Sequence, residues 1–158
     1  MGQNVLDSSS DNYKIHLRIM RLRMLLYRIT EKLHKEEYNL GVEQYLILYM
    51  CCSSEKPMNP GQFTKITFRK ANTISNHLSN LQKKGLISMQ LDPTKRSRTI
   101  ITITEQGKKI IADSQKSDSP INNATNSFFD NMTADEKNQL AYLLQKVYDN
   151  VLEKFGSI

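Results

Sequence analysis

Six polar side chains, none of them acidic, share the outer face of a helix predicted over residues 71–84. The apolar residues of this helix, together with His77, are expected to point inward. Asparagine can make two hydrogen bonds to an adenine, and serine or threonine can bind either bases or phosphates. A merely solvated face usually carries Glu and Lys, so this one favours contact with a nucleic-acid groove. Its members are Asn72, Thr73, Ser75, Asn76, Ser79 and Asn80.

Basic side chains are concentrated around this helix. Residues 56–98 contain nine Lys or Arg and a single acid, Asp92, so this segment carries a charge of +8. The whole chain has a formal charge of +6, and the remainder is therefore slightly acidic at −2. Such segregation is typical of a surface that binds a polyanion. Candidate phosphate contacts are Lys65, Arg69, Lys70, Lys83, Lys84 and Lys95, whereas Arg96 and Arg98 suit a narrow minor groove.

A two-stranded hairpin is predicted directly after the polar helix. Alternating apolar residues predict a strand over 86–91, and an Ile- and Thr-rich stretch predicts a second strand over 99–104. The residues between them, Asp92-Pro93-Thr94-Lys95-Arg96-Ser97, have turn composition. The sequence therefore predicts a mainly α protein with a small β component, an α+β fold.

A second short helix is predicted before the polar one. Asn59 is a good N-cap, Pro60 suits the first helical position, and Gln62 completes a capping box. Gly85 is a C-cap for the polar helix. Two short helices with a tight connection predict a helix-turn-helix.

The two ends of the chain predict long helices with doubled apolar faces. One runs over residues 13–35, and the other starts at the capping box Thr133-Ala134-Asp135-Glu136. Two apolar faces on one helix need two partners, which a chain of 158 residues can barely supply. The clearest seams are Ile15, Ile19, Leu22, Leu26, Ile29 and Leu33 in the first helix, and Leu140, Leu144, Val147 and Val151 in the last.

Two further helices are predicted between these elements. The helix over 43–53 is apolar nearly all round and is expected in the interior. Its adjacent Cys51 and Cys52 cannot form a disulfide without severe strain, so buried thiols are favoured over a redox sensor. Thr104 is a predicted cap for a helix that runs from Glu105 into the polar stretch around Ser117–Ser119 and Pro120. Whether this helix breaks or bends near Pro120 stays open at the level of sequence.

Composition and motifs argue against several other classes of protein. No apolar run approaches the length of a membrane span, and no secretory signal is recognisable, so a cytoplasmic, membrane-independent protein with a flexible arm over 1–12 is expected. No HExxH, P-loop, GxSxG or GxGxxG pattern occurs, which indicates a protein that is not an enzyme and needs no cofactor. His16, His34 and His77 are far apart in sequence, and a metal site is not favoured.

Four residues at helical spacing are candidates for a small-molecule pocket. Tyr27, Tyr45, Tyr49 and Met50 could line an effector cavity between the helical arms and the basic lobe, since pockets favour such junctions. Aromatic and Met residues at this spacing are also typical of plain core. Both interpretations stay open at the level of sequence.

The basic stretch resembles the MarR family of winged helix-turn-helix transcription regulators. The order of predicted elements extends the resemblance over residues 13–155. The departures are Arg69-Lys70, where the family often has small hydroxyl residues, and His77, where it usually has an aliphatic one. The matching residues are Thr73-Ile74-Ser75-Asn76, Leu81-Gln82-Lys83-Lys84-Gly85-Leu86-Ile87, Asp92-Pro93-Thr94-Lys95-Arg96 and Ile103-Thr104-Glu105-Gln106-Gly107-Lys108.

The resemblance implies an obligate homodimer that binds double-stranded DNA at a pseudo-palindromic operator, usually as a repressor released by a small ligand. It implies one domain over 13–158, with a winged-helix lobe at 56–104 and dimerisation or core helices at 13–53 and 105–158. In the wing, Asp92 and Arg96 would pair. Two alternatives remain: a redox- or metal-responsive sensor on the same fold, and a winged-helix module that binds proteins.

Overall fold

The computed structural model describes residues 11–93 and 98–156 of the chain. Within these ranges the fold is mainly helical with one small antiparallel sheet, as the sequence predicts. The elements in chain order are α1 (Asp11–Tyr38), α2 (Val42–Ser53), α3 (Pro60–Thr67), α4 (Ala71–Lys83), β1 (Ile87–Leu91), β2 (Thr99–Ile103), α5 (Glu105–Ser114), α6 (Pro120–Ser127) and α7 (Ala134–Phe155).

Side-chain caps fix where the helices begin. At α3 the Gln62 backbone N–H donates to Asn59 Oδ1 at 3.2 Å, and the Asn59 N–H donates to Gln62 Oε1 at 2.9 Å. The same reciprocal pair joins Thr133 and Glu136 at the start of α7. These bonds satisfy backbone donors that the first turn leaves without an intrahelical partner. Both predicted capping boxes are confirmed.

The hairpin is antiparallel, from Ile87 opposite Ile103 to Leu91 opposite Thr99. The Asp92 N–H donates to the Arg98 carbonyl at 2.7 Å and extends the pairing toward the tip. The tip itself, with Lys95 and Arg96, lies outside the described residues. Met58 adds an isolated antiparallel bridge to Ile101, which the sequence did not predict.

One apolar cluster lies between α2, α4, α5 and the sheet. Ile47 and Leu48 of α2 are fully buried there beside Ile74, Leu78 and Leu81 of α4. The expectation that α2 is buried all round is wrong, because Leu46 and Tyr49 are more than 40% exposed. Helix α2 packs against the core on one side only, so its opposite side is exposed even though that side is apolar.

The end helices leave their apolar seams uncovered within one chain. Every residue of α7 lies in the described range, and none is buried. Leu22 and Met24 of α1 are likewise 56% and 65% exposed. Contiguous apolar surface of this kind usually marks an interface. These two helices are therefore where a second chain would pack.

Several boundaries differ from the predictions. Helix α1 already begins at Asp11, inside the predicted flexible arm, and residues 1–10 lie outside the described part of the chain. The helix that starts after the Thr104 cap ends at Ser114, and α6 begins anew at Pro120. No helix within the described ranges has the length and apolarity needed to cross a membrane.

Candidate nucleic-acid interface

Helix α4 presents the predicted polar face to solvent. Its seam of Ile74, Leu78 and Leu81 is buried against the core and fixes the rotation of the helix. Five of the six predicted polar residues are exposed on the remaining surface, and Thr73 is half-buried. The five exposed residues are Asn72, Ser75, Asn76, Ser79 and Asn80.

The turn between α3 and α4 has an unusual backbone. Phe68 ends α3 in the left-handed conformation at φ 54°, a region in which bulky residues are rare. Its side chain is 57% exposed and faces an open cleft of about 920 Å³ that α7 bounds on the far side. Lys65, Arg69 and Lys70 also line this cleft. The end of α3 and the turn after it therefore place three cations around one cleft.

The basic residues divide into solvated and internally bound groups. Lys65, Lys70, Lys83 and Arg98 are exposed, and no salt bridge within the described ranges engages them. Lys84 differs, because its Nζ donates to the Asn39 carbonyl at the end of α1. Burial and the nearby Lys35 lower the pKa of Lys84. Lys84 therefore ties α4 to the end of α1, and its role as a phosphate contact stays a prediction.

Arg69 and His77 share one carboxylate that the sequence analysis did not single out. The Arg69 Nη2 donates to Glu43 Oε1, and the His77 Nε2–H donates to Glu43 Oε2 at 3.0 Å. His77 is half-buried and turned inward as predicted, toward the first turn of α2. Arg69 is therefore held by the protein itself, unlike the solvated cations around it.

The four candidate effector residues have different surroundings. The Tyr45 ring lies 4.1 Å from that of His34, and its hydroxyl is 2.7 Å from the Ser114 Oγ. Met50 packs against the core cluster. Tyr27 and Tyr49 are exposed, at 43% and 41%. Their role in ligand binding stays a prediction.

His34 beside Tyr45 is a buried imidazole with one unsatisfied nitrogen. Its Nδ1–H donates to the Thr30 carbonyl at 2.7 Å, while Nε2 is buried without a hydrogen-bond partner in the described structure. Burial lowers the pKa of His34 below its ordinary 6.5, against the opposing effects of the Thr30 carbonyl and the Glu31 charge. This imidazole is therefore neutral in the folded protein near pH 7.

Acidification should destabilise the protein through His34. Because the folded pKa lies below the unfolded value, the unfolded state takes up the proton first. This contribution to stability is complete above about pH 6.5 and is lost as pH falls through the folded pKa, at up to about 1.4 kcal/mol per pH unit. In urea unfolding at fixed protein concentration, the free energy of unfolding of His34→Gln should change less between pH 7 and 5 than that of the parent protein. His16→Gln, on the exposed part of α1, is the control, and an unflattened His34→Gln profile would refute the assignment.

The two cysteines are not equivalent. Cys51 is buried, and burial raises the pKa of its thiol to about 12, so it carries no reactive thiolate near neutral pH. Cys52 is exposed, which corrects the expectation that both thiols are buried. No cluster of three metal-binding side chains occurs among the described residues. Cys52 is therefore the thiol on which the redox alternative would depend.

Comparison with known proteins identifies the fold. No family model and no curated protein matches the sequence. The structure matches a MarR-family transcriptional regulator from Rhodococcus sp. RHA1 with a TM-score of 0.77 and 21% identity, over 89% of this chain and 96% of that one. The chain has the MarR fold. The resemblance seen in the sequence is confirmed at this level, with the winged helix-turn-helix formed by α3, α4 and the hairpin.

Two other solved structures that match this chain contain bound molecules. CouR from Rhodococcus jostii RHA1, bound to p-coumaroyl-CoA, matches with a TM-score of 0.74 and 21% identity over 89% of this chain and 95% of that one. MepR of S. aureus, in a complex with DNA, matches with a TM-score of 0.68 and 21% identity over 88% and 97%. Each covers nearly the whole of both chains, so the likeness includes the end helices as well as the basic lobe.

Proposed function

We propose that the protein is a DNA-binding transcription regulator and not an enzyme. The observation that carries this proposal is the acid-free polar face of α4, flanked by the solvated cations Lys65, Lys70 and Lys83. Asparagine and serine on an exposed helix suit base edges in a major groove, and the cations suit the phosphates beside it. The match to MepR, which was solved in a complex with DNA, supports DNA binding by this fold. Action on chromosomal DNA would place the protein in the cytoplasm.

The functional unit that we propose is a homodimer built by α1 and α7. Both helices expose apolar seams that a single chain leaves uncovered. A two-fold dimer would present two α4 helices to half-sites about one turn of DNA apart, on a pseudo-palindromic operator. Repression is the mode of regulation that we propose, because a dimer seated on an operator excludes other proteins from it.

A small-molecule effector is the third part of the proposal. The CouR match was solved with p-coumaroyl-CoA, so the fold accommodates an organic ligand in that protein. The candidate effector residues lie on two neighbouring helices, Tyr27 on α1 and Tyr45, Tyr49 and Met50 on α2. A ligand bound beside these residues would change the spacing of the two winged-helix lobes only if its affinity differed between two arrangements of the dimer with different spacing.

Binding to random duplex DNA should weaken steeply as salt is added. Each neutralised phosphate contributes about −0.9 to the slope of log K against log salt, so a dimer with several contacts per lobe should give a slope steeper than about −4. Fluorescence anisotropy with a labelled duplex of mixed sequence measures it between 50 and 200 mM salt. A flat slope, or no binding at all, would remove the DNA function and favour a winged helix that binds an acidic protein.

Base reading is tested with the same assay on a duplex selected from a random pool. Asn76→Ala should cost about 1–3 kcal/mol per half-site of the selected duplex, because each protomer would lose one bidentate base contact. On random DNA, the slope of log K against log salt for Asn76→Ala should match that of the parent protein, because asparagine neutralises no phosphate. Equal affinity of parent and variant for the selected site would contradict the assignment of Asn76.

A further inference from the structure

One carboxylate joins helix α2 to two points of the winged-helix lobe. Glu43 lies in the first turn of α2, and its two oxygens accept from Arg69 in the turn before α4 and from His77 in the middle of α4. The partners are 26 and 34 residues away along the chain. Both oxygens are thus used, and the start and middle of α4 are tied to the same point.

Partial burial makes these bonds stronger than ordinary surface ion pairs. The side chains of Glu43 and His77 are 22% and 23% exposed, whereas Arg69 is 44% exposed. Hydrogen bonds to ionised groups are about twice as strong as neutral ones, and shielding from water preserves this advantage. Glu43 also gains from the positive end of the α2 dipole, where an anion is favoured. The Glu43 carboxylate is therefore held firmly between Arg69 and His77.

Arg69 differs in this respect from the cations beside it. Lys70 follows it directly, is exposed and has no carboxylate partner among the described residues, as is also true of Lys65. A DNA phosphate that approached the start of α4 would find Lys70 solvated and Arg69 already bound to an anion. A phosphate that approached the remaining N–H groups of this guanidinium would be repelled by the Glu43 carboxylate, which already compensates the charge of Arg69.

We propose that Glu43 takes the place of a phosphate at Arg69, so that Arg69 and His77 position α4 and make no contact with the DNA backbone. This inference rests on the DNA binding proposed above. It assigns Glu43 as a positioning residue of the interface and removes Arg69 from the set of phosphate contacts. Lys65, Lys70 and Lys83 remain in that set.

The salt slope separates the two roles of Arg69. Removing a cation that touches no phosphate leaves the slope unchanged, whereas freeing that cation adds one contact. Glu43→Gln keeps the shape of the side chain but releases Arg69, so the slope should steepen by about 1.8 per dimer, from one added contact in each protomer. Between 50 and 200 mM salt, the loss of affinity should then be about tenfold larger than for the parent.

Five variants are compared with the parent on random duplex DNA: Glu43→Gln, Glu43→Asp, Arg69→Gln, the double variant Glu43→Gln/Arg69→Gln, and Lys70→Gln as the matched control. Arg69→Gln should keep the parent slope, the double variant should return to it, and Lys70→Gln should be shallower by about 1.8. Thermal unfolding of each variant verifies that it is folded. Glu43→Asp, which keeps the charge, should retain the parent slope if the pair re-forms.

The outcomes distinguish failure of this inference from failure of the proposed function. A steep parent slope together with a shallower Arg69→Gln slope would show that Arg69 binds phosphate and would overturn the inference alone. A double variant steeper than the parent would show that Glu43 acts only through its general charge, which also overturns it. A flat parent slope would instead remove the DNA function itself.

Discussion

Leu144→Asp should convert the protein to a monomer and reduce its affinity for operator DNA at least about 100-fold. Leu144 is 49% exposed in the single chain, in the apolar seam of α7 that we assign to the partner. A two-fold interface would bury two introduced carboxylates, and removing an unpaired charge from water costs several kcal/mol each. A monomer would also bind only one half-site and would lose the gain in affinity that comes from binding two half-sites at once. Sedimentation equilibrium and anisotropy titration measure the two effects.

The control for this variant is Asn138→Asp, which adds the same charge on the polar face of the same helix. It should stay dimeric and bind DNA like the parent. Because no residue of α7 is buried within one chain, Leu144→Asp should keep its helical circular dichroism. A Leu144→Asp protein that sediments as a dimer would place the interface elsewhere than on this seam.

The end helices show how far sequence pattern alone can predict structure. The apolar periodicity of α1 and α7 and the capping box at Thr133 predicted both the helices and their unfilled seams, because each signal is local. The polar face of α4 was predicted for the same reason, since one turn of helix fixes which residues share a side. Where a residue's neighbours come from its own helix, spacing is sufficient.

The contacts that the sequence did not predict all join distant segments. Arg69 was expected to be free for phosphate, but its partner Glu43 is 26 residues away, and nothing in either local pattern pairs them. The bond from Lys84 to Asn39 spans 45 residues and was missed for the same reason. Charge composition indicated where the cations concentrate, yet it could not separate the solvated cations from those that have partners within the protein.

Gly107 has a structural role that explains its place in the motif after the hairpin. It lies in the first turn of α5, where the backbone of Leu86 comes directly against it. A Cβ at this position would collide with the Leu86 carbonyl oxygen and lie 2.7 Å from Ile103 Cγ1 and 3.0 Å from Leu48 Cδ1. Helix α5, the start of the hairpin and α2 therefore approach closely only because this residue has no side chain.

Gly107→Ala should destabilise the fold by about 1–3 kcal/mol, the usual cost of overpacking a core. In an open helix the same change would instead stabilise by about 0.5–1 kcal/mol. A lower free energy of unfolding in Gly107→Ala would therefore indicate that Leu86 lies directly against Gly107. Urea unfolding at fixed protein concentration measures it.

Gly61→Ala is the matched control, because Gly61 also lies in a first helical turn and its added Cβ would meet only Asn59 Oδ1, at 3.2 Å. We expect that variant to be neutral or slightly stabilised. Since Leu86 directly follows the Gly85 cap of α4, a shifted Leu86 would also move the hairpin relative to the polar face. Gly107→Ala should therefore weaken DNA binding even at temperatures where it is fully folded. An unfolding free energy equal to or above that of the parent would show that α5 and the hairpin have room to separate.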